Sequence, residues 1–428
     1  MSNPLPNPQH PDRPAPDRDC SANACDRPAP DRPAPDRRRY STHRRRFNTA
    51  LAAGAAALAW GHRPGSDPLF APSLAQSPSP SLSLDRTSLP SLSWQMATSW
   101  PKSLEVVFGG STRICQRVGE LTQGRFSITP YESGELTAGL DVLAAVADGT
   151  VACGHTASYY YVKTQPALAF ATTVPFGLNA AQQDAWLYGA GGLELMQEIY
   201  AELGVINFAA GNTGAQMGGW FKQPIATPAD LQGLKMRIPG LGGEVMKRLG
   251  VDVQSLVGTE IFAALEQGTI DAAEWVGPYE DEKLGLSRVA GIYYYPGWWE
   301  PGTTYELQVN LQQWQQLPLE YQQALYVATL ETHQLMVAEY DAVNREALQR
   351  LILGGTQVQA YEPEILAAAQ QATLEFYTEQ SQGDQTFKRV YEQWRQFQTQ
   401  THNWQRTSEF ALMAYTAQKV ATKQDLGV

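Results

Sequence analysis

Strand-like stretches alternate with helical stretches from residue 93 onward, and this alternation limits the possible folds more than any other feature. The first round has strands at 94–100, 125–131 and 151–155, with helices over 104–122 and 140–147 between them. Strands joined by helical crossovers lie parallel, and the helices cover the faces of the sheet. The sequence therefore predicts an α/β fold built on a mostly parallel sheet.

A second round of alternation follows a helical region at 180–202 and a strand at 205–208. Its strands are expected at 218–222, 234–239, 251–253 and 270–275. Thr259 is expected to cap the helix that ends at Gln267. A last strand at 305–311 is expected to return to the first sheet. Two rounds of this kind predict two lobes, lobe I from 93–215 with 305–317 and lobe II from 216–304.

The remaining segment, 318–428, is nearly all helical in pattern and rich in Gln, Glu, Ala and Leu. Gly354 and Gly355 interrupt it. A helical segment of this length must bury its apolar face. We expect it to brace the two lobes or to pack against a second copy of the chain.

The first 75 residues have a different composition. They open with repeats of Pro-Ala-Pro-Asp-Arg, which are too polar and Pro-rich to form a core, so disorder is expected. Arg44–Arg46 then precede an apolar run at 51–60, the order found in an export signal. The paired arginines and Phe47 resemble a twin-arginine signal. We expect 1–75 to be removed on export to the periplasm, and 76–92 to be a linker.

Charge and cysteine content exclude several classes of protein. The chain has 32 Lys and Arg against 43 Asp and Glu, a formal net charge of -11. Because nucleic-acid binding needs clustered basic residues, this balance argues against a nucleic-acid partner. It does not exclude an anionic ligand, since one buried Arg can outweigh distant charges. Cys115 and Cys153 could form a disulfide after export or stay as buried thiols.

Three stretches of the chain resemble a known family. Residues 211–221, 230–239 and 271–279, in this order and spacing, resemble the extracytoplasmic solute receptors of tripartite ATP-independent periplasmic (TRAP) transporters, the DctP family. Residues 293–300 are similar to the subgroup that binds 2-oxo acids such as pyruvate with a metal ion. The resemblance covers about residues 92–420. It implies a two-lobed periplasmic-binding-protein fold, type II-like, with a long C-terminal helical segment.

Arg237 is the candidate ligand for the carboxylate of a substrate. It follows the core-like Met236 and precedes Ile238 and Pro239, near the carboxyl end of a predicted strand, where open α/β sheets bind ligands. A guanidinium matches a carboxylate with two parallel charge-assisted hydrogen bonds. The resemblance implies this role for Arg237; the alternative is an ordinary surface arginine.

The resemblance also implies a cation held by oxygen atoms. Its ligands would be the Glu274 and Glu300 carboxylates, the main-chain carbonyl of Trp275, and the amide oxygen of Gln216. Gln216 and Trp275 would also reach the substrate. Oxygen ligands suit sodium or calcium and not zinc, and the residues do not decide between those two ions. In lobe I, Tyr160 is the candidate hydroxyl for the ligand. The alternative is that the two glutamates are surface carboxylates.

Together these features predict a protein that captures a small organic anion and delivers it to the membrane permease subunits of a TRAP transporter. The anion would be a monocarboxylate, either a 2-oxo acid such as pyruvate or a 2-hydroxy acid such as lactate. The alternatives are a ligand-sensing periplasmic receptor and an enzyme acting on a small carboxylate. The sequence has no G-x-S-x-G, P-loop or H-E-x-x-H motif, which argues against an enzyme. The subgroup also implies a homodimer formed by C-terminal helix exchange, for which 363–400 is long and amphipathic enough.

Overall fold

The structure is a computed structural model that describes residues 89–420. These residues lie in one compact unit, Ser83–Val428. The expectations for the head at 1–75 and for most of the linker at 76–92 concern residues outside the described part.

The described residues form eleven strands. In chain order they are β1 (Leu92–Thr98), β2 (Phe126–Tyr131), β3 (Cys153–Thr156), β4 (Val205–Asn212), β5 (Trp220–Phe221), β6 (Lys235–Arg237), β7 (Asp252–Gln254), β8 (Ala272–Ala273), β9 (Ile292–Tyr295), β10 (Thr304–Asn310) and β11 (Gln357–Ala360).

Thirteen α-helices lie between and after these strands in the described residues. They are α1 (Glu105–Leu121), α2 (Val142–Ala147), α3 (Ala169–Thr172), α4 (Ala180–Asp184), α5 (Gly192–Glu202), α6 (Gly240–Arg248), α7 (Gly258–Gln267), α8 (Pro278–Leu284), α9 (Leu311–Gln316), α10 (Leu319–Leu353), α11 (Pro363–Gly383), α12 (Gln385–Thr407) and α13 (Glu409–Val420).

The first sheet has the strand order β2-β1-β3-β10-β4. β1 runs parallel to β2 and β3, and β10 runs antiparallel to β3 and β4. The predicted parallel arrangement of the first three strands is confirmed, as is the return of the chain through β10. Helix α1 covers this sheet with Val107, Ile114 and Val118, which share one helix face and are fully buried.

The second sheet has the strand order β11-β9-β5-β8-β6-β7. β6 is parallel to β7 and β8, β5 is antiparallel to β8 and β9, and β11 is parallel to β9. β11 corrects the expectation of helix throughout 318–428. Its short alternating sequence, Gln357–Ala360, extends the second sheet after α10 has ended.

The helical segment also differs from the expectation at Asp384. We expected one long helix over 363–400, but Asp384 separates α11 from α12. Its carboxylate accepts hydrogen bonds from the main-chain N–H groups of Thr386 and Phe387, at 2.8 and 3.0 Å, and so caps α12. The chain can therefore turn between the two helices, and Tyr377 and Trp394 become buried in the same core.

The start of α7 differs from the prediction, and the state of the two cysteines had been left open. Thr259 is not a cap, because α7 begins at Gly258 and Thr259 lies inside its first turn. Cys115 and Cys153 are both free and buried, so the thiol alternative holds in this structure. Burial raises the pKa of the Cys115 thiol to about 12. Neither thiol is therefore charged at neutral pH.

Helix α8 links the two sheets through one buried carboxylate. Oε1 of Glu280 accepts hydrogen bonds from the N–H groups of Val106 and Val107 at the start of α1, at 3.3 and 3.2 Å. The hydroxyl of Tyr340 on α10 donates to the same oxygen at 3.1 Å. A carboxylate at a helix N-terminus satisfies otherwise unpaired N–H groups. This contact fixes α8 against both α1 and α10.

The helices of the described part do not resemble membrane spans. Within residues 89–420, none combines the length and the apolar character that crossing a membrane requires.

Candidate functional site

Arg237 is the last residue of β6, an inner strand of the second sheet. Its neighbours in register are Ala273 on β8 and Gln254 on β7. Only 2% of Arg237 is exposed, which excludes the surface alternative. A charged group at such depth needs partners, because isolated burial of a charge is very unfavourable.

The partners of Arg237 bind two of the three nitrogens of its guanidinium group. Nη1 donates to Oε2 of Glu274 at 3.0 Å and to the main-chain carbonyl of Glu274 at 2.9 Å. Nε donates to the carbonyl of Leu256 at 3.1 Å. The guanidinium carbon lies 5.0 Å from the centre of the Trp275 ring, a cation–π arrangement. Among the described residues no bond uses Nη2, which leaves a donor for a ligand.

Glu274 and Glu300 are buried carboxylates, with 1% and 3% of their surface exposed. Burial raises the pKa of Glu274 well above its usual value, and the nearby Glu300 raises it further. Burial likewise raises the pKa of Glu300 to about 7. Two carboxylates that disfavour each other's charge form a site that a cation would stabilise. The surface alternative for these residues is therefore wrong.

Gln216 lies in the connection between β4 and β5. Its main-chain N–H donates to the carbonyl of Glu300 at 3.2 Å, and its Nε2 donates to the hydroxyl of Thr213 at 3.3 Å. The amide oxygen Oε1 is buried without a hydrogen-bond partner, and so is Oε1 of Glu274. A buried acceptor without a donor costs about 1–3 kcal/mol.

These oxygens allow a test of whether the site fits a metal ion. The carbonyl of Trp275 also accepts no hydrogen bond in the described part of the chain. The atoms that Gln216, Glu274, Trp275 and Glu300 would offer to a metal ion are all oxygens. Two of the side-chain oxygens have no hydrogen-bond partner. Within residues 89–420 there is no group of three or more His, Cys, Asp or Glu residues that could hold a metal. The set fits a hard ion such as sodium or calcium and does not fit zinc.

A cavity of about 240 Å³ borders this group on one side. Arg237 and Tyr160 line it, whereas Gln216, Glu274 and Glu300 do not. The remaining wall residues include two lysines and several apolar side chains, namely Leu140, Val162, Lys163, Lys247, Val253 and Leu256. Burial raises the pKa of Tyr160 to about 12, while the charge of Arg237 acts to lower it. The structure thus places Tyr160 and Arg237 in the wall of one cavity, and Arg237 in turn contacts Glu274.

Sequence reasoning missed several members of the site. The hydroxyl of Thr303 donates to Oε2 of Glu300 at 2.8 Å, and Tyr159 also acts to lower the pKa of Glu300. Leu256 contributes only a main-chain carbonyl, which has no signature in the sequence. Thr303 follows Glu300 by three residues, and this short spacing could have suggested the contact. Tyr159 was indistinguishable from its two Tyr neighbours.

Comparison with known proteins gives the same family as these residues. The family model for bacterial extracellular solute-binding protein, family 7 (DctP), matches residues 96–383. A monocarboxylate 2-oxoacid-binding periplasmic protein from Nostoc sp. (strain PCC 7120) is 58% identical over 323 residues, which span 76% of this chain and 88% of that protein.

Two solved structures are similar over most of the described chain. A TRAP transporter solute-binding protein from Bordetella bronchiseptica, a dimer with calcium and picolinate, is 44% identical with a TM-score of 0.77; the match covers 78% of this chain and 100% of that one. A TRAP periplasmic solute-binding protein from Pseudoalteromonas atlantica, with sodium and pyruvate, is 34% identical with a TM-score of 0.73, over 76% and 98% of the two chains. This chain therefore belongs to the DctP family of bacterial extracellular solute-binding proteins.

Proposed function

We propose that this protein binds a small monocarboxylate through Arg237 and a bound sodium or calcium ion. The ligand class is a 2-oxo acid such as pyruvate or a 2-hydroxy acid such as lactate. The observation that carries the proposal is the buried Arg237 beside two unpaired side-chain oxygens, those of Gln216 and Glu274. The ligands named for the relatives, a 2-oxo acid, picolinate and pyruvate, are all compatible with this pair of features.

Each residue of the site has a distinct proposed role. Gln216, Glu274, Glu300 and the carbonyl of Trp275 would hold the cation. When bound, the cation would supply positive charge to a carboxylate oxygen of the ligand and to the oxygen on the neighbouring carbon. The free side of Arg237 would bind the rest of the ligand carboxylate, and Tyr160 and the Trp275 ring would contact the ligand.

We further propose that the two sheets are the cores of lobes that close around this ligand. The lobes are 93–215 with 305–317, and 216–304, and the segment 318–428 braces them, with β11 joining the second sheet. The protein would be exported to the periplasm by a twin-arginine signal and deliver its ligand to the membrane subunits of a TRAP transporter. A sensor role uses the same ligand site, so binding to the permease subunits separates the two.

Cation removal gives the direct test of this function. In isothermal titration, pyruvate should bind the wild-type protein with calcium or sodium present, and about 10- to 100-fold more weakly after chelation and exchange into a buffer free of both ions. The reason is that one charge-assisted contact is worth about 1.5–3 kcal/mol. Lactate, branched 2-oxo acids and dicarboxylates define the ligand range. Equal affinity with and without the ions would exclude the cation, and absence of binding by every monocarboxylate would exclude the function.

We also propose that the C-terminal helices form a homodimer by exchange. The exposed residues of helix α13 include Phe410, Leu412 and Met413, which we name the α13 patch. Between α11 and α12 lies a groove of about 290 Å³ whose walls include the aromatic side chains Phe176, Tyr377, Tyr391 and Trp394. If the α13 patch of each copy occupied the groove of the other, both apolar surfaces would be buried. The Bordetella bronchiseptica relative, which is a dimer, supports this assignment.

The α13 patch predicts the oligomeric state. The wild type should have the mass of a dimer in light scattering, and the double variant Leu412→Asp/Met413→Asp should have the mass of a monomer, because burying two carboxylates against the aromatic walls of the groove carries a large desolvation cost. Leu353→Asp is the matched control, since Leu353 is 88% exposed at the end of α10 and outside the patch. A monomeric wild type, or a double variant that remains dimeric, would contradict the exchange.

A further inference from the structure

Asp281 is a buried carboxylate outside the set of candidate ligands. It lies in the first turn of α8 and is only 1% exposed, yet it forms no ion pair with any residue of 89–420. Its carboxylate accepts four hydrogen bonds instead. Oδ1 accepts from the main-chain N–H groups of Val276 and Gly277, both at 3.1 Å. Oδ2 accepts from Trp220 Nε1 at 2.8 Å and from the Tyr293 hydroxyl at 2.7 Å.

The two main-chain donors belong to the loop that carries candidate cation ligands. Val276 and Gly277 directly follow Glu274 and Trp275, so Asp281 fixes the peptide groups at the end of that loop. The carbonyl of Val276 in turn accepts a hydrogen bond from the N–H of Met217, next to Gln216, at 3.4 Å. The 274–277 loop is therefore hydrogen-bonded to the segment between β4 and β5 that contains Gln216, and the position of each depends on the other.

The two side-chain donors anchor Asp281 to the middle of the second sheet. Trp220 on β5 and Tyr293 on β9 are paired in register, and their rings stack with centres 4.0 Å apart. Both residues are fully buried. A carboxylate held by two inner strands has little freedom to move, and neither has the loop attached to its other oxygen.

We propose that Asp281 is a positioning residue for the cation site: it anchors the 274–277 loop to β5 and β9, so that Glu274 and the Trp275 carbonyl are held in place as ligands. The inference rests on the proposed function, because it assumes a cation at these oxygens. Groups that orient metal ligands commonly change metal affinity by about 10- to 100-fold when they are replaced.

The chemistry of the four bonds explains why a carboxylate is needed. All four partners are used as donors, and a carboxylate is the side chain of this size that only accepts. In Asp281→Asn the amide NH₂ must face two of these donors. The hydroxyl of Tyr293 can rotate to accept, but the N–H groups of Trp220, Val276 and Gly277 cannot. The variant keeps the volume of Asp281 and must lose at least one anchor.

The test compares Asp281→Asn with a matched variant elsewhere. Glu306→Gln removes a carboxylate that is equally buried, at 1% exposure, and bonded to Tyr200, Asn207 and Gln308 in the first sheet. Calcium affinity is measured by titration without an organic ligand, and pyruvate affinity at saturating calcium. Asp281→Asn should weaken calcium binding by about 10- to 100-fold, whereas Glu306→Gln should leave it unchanged. Hydrogen exchange of the calcium-free protein should be faster at 274–277 in Asp281→Asn than in the wild type.

The possible outcomes distinguish failure of the proposed cation site from failure of the proposed role of Asp281. If the wild type binds neither calcium nor sodium, the proposed cation site fails, and Asp281 has nothing to position. If the wild type binds calcium and Asp281→Asn binds it equally well, only the role of Asp281 is overturned. If the effect came from a general loss of stability, calcium binding would be weakened in Glu306→Gln and Asp281→Asn alike. That result would also contradict a positioning role for Asp281. Should Asp281→Asn fail to fold, Tyr293→Phe removes one of the four bonds and should shift calcium affinity in the same direction by a smaller factor.

Discussion

The Arg237→Ala variant should bind pyruvate about 100- to 1,000-fold more weakly than the wild type in isothermal titration with calcium. The guanidinium is buried, and without it the ligand carboxylate would lose its opposite charge. Leaving one partner of a buried ion pair uncompensated costs about 3–5 kcal/mol, and each 1.4 kcal/mol is a factor of ten in affinity.

Arg237 also acts on the cation site itself. Its charge opposes the rise in the pKa of Glu274, so its removal should make Glu274 harder to ionise. Calcium affinity without pyruvate should change by a smaller factor than pyruvate affinity in Arg237→Ala, because the lost charge had both favoured the ionised form of Glu274 and repelled the cation. Arg237→Lys keeps the charge but loses the planar group whose Nε and Nη1 hold Leu256 and Glu274 while Nη2 faces the ligand, and an intermediate affinity is expected.

Arg248→Ala is the matched control for this series. Arg248 ends α6 in the same half of the molecule and pairs with Glu379 on α11, where 30% and 59% of the two side chains are exposed. Surface pairs of this kind contribute about 0–1 kcal/mol to stability. Its removal should leave pyruvate binding unchanged. Wild-type affinity in Arg237→Ala would mean that the ligand carboxylate is held elsewhere.

The second large effect concerns stability and pH, and it arises in the first sheet. Glu306 on β10 accepts hydrogen bonds from Tyr200, Asn207 and Gln308, and burial nevertheless raises its pKa to about 7. In the unfolded chain the pKa of a glutamate is about 4.3. Between these values the folded protein binds more protons than the unfolded chain. Glu306 therefore contributes stability below about pH 4.3, and this contribution is lost as the pH rises to about 7.

The Glu306→Gln variant isolates this contribution. Since one pKa unit corresponds to about 1.4 kcal/mol, the free energy of unfolding of the wild type, relative to that of Glu306→Gln, should fall by about 2–3 kcal/mol from pH 5 to pH 8. Urea unfolding at both pH values, with chelator and without pyruvate, measures this difference and keeps the cation site out of it. A difference that does not change with pH would show that Glu306 is ionised in the folded protein throughout this range.

Much of the fold follows from local patterns in the sequence. The first three parallel strands and α1 were predictable because their apolar residues recur with the periods of a strand and a helix. The return of the chain through β10 was also predictable. Asp384 carried an available signal, since Gly383 and a capping side chain mark the boundary between α11 and α12. The polar stretch 378–386 around it is a second signal for the same boundary.

Other features depend on contacts that the sequence does not encode locally. β11 consists of four residues, and its strand character comes from pairing with β9, more than 60 residues earlier. Arg237, Glu274 and Glu300 were named from their resemblance to family motifs, and the structure shows all three buried at or after strands of the second sheet. The bond from Arg237 to the Leu256 carbonyl and the four bonds of Asp281 were not predictable. These contacts exist only when the second sheet has formed.

The chain crosses from the first sheet to the second between β4 and β5, and returns between β9 and β10. These two connections run side by side: Gln216 donates to the carbonyl of Glu300 and accepts from the N–H of Gly297, both at 3.2 Å. In the closure proposed above, they would form the hinge about which one sheet turns relative to the other. An ion bound by both Gln216 and Glu300 would link these two connections. Loss of the ion would then loosen the connection between the two sheets as well as the ligand site.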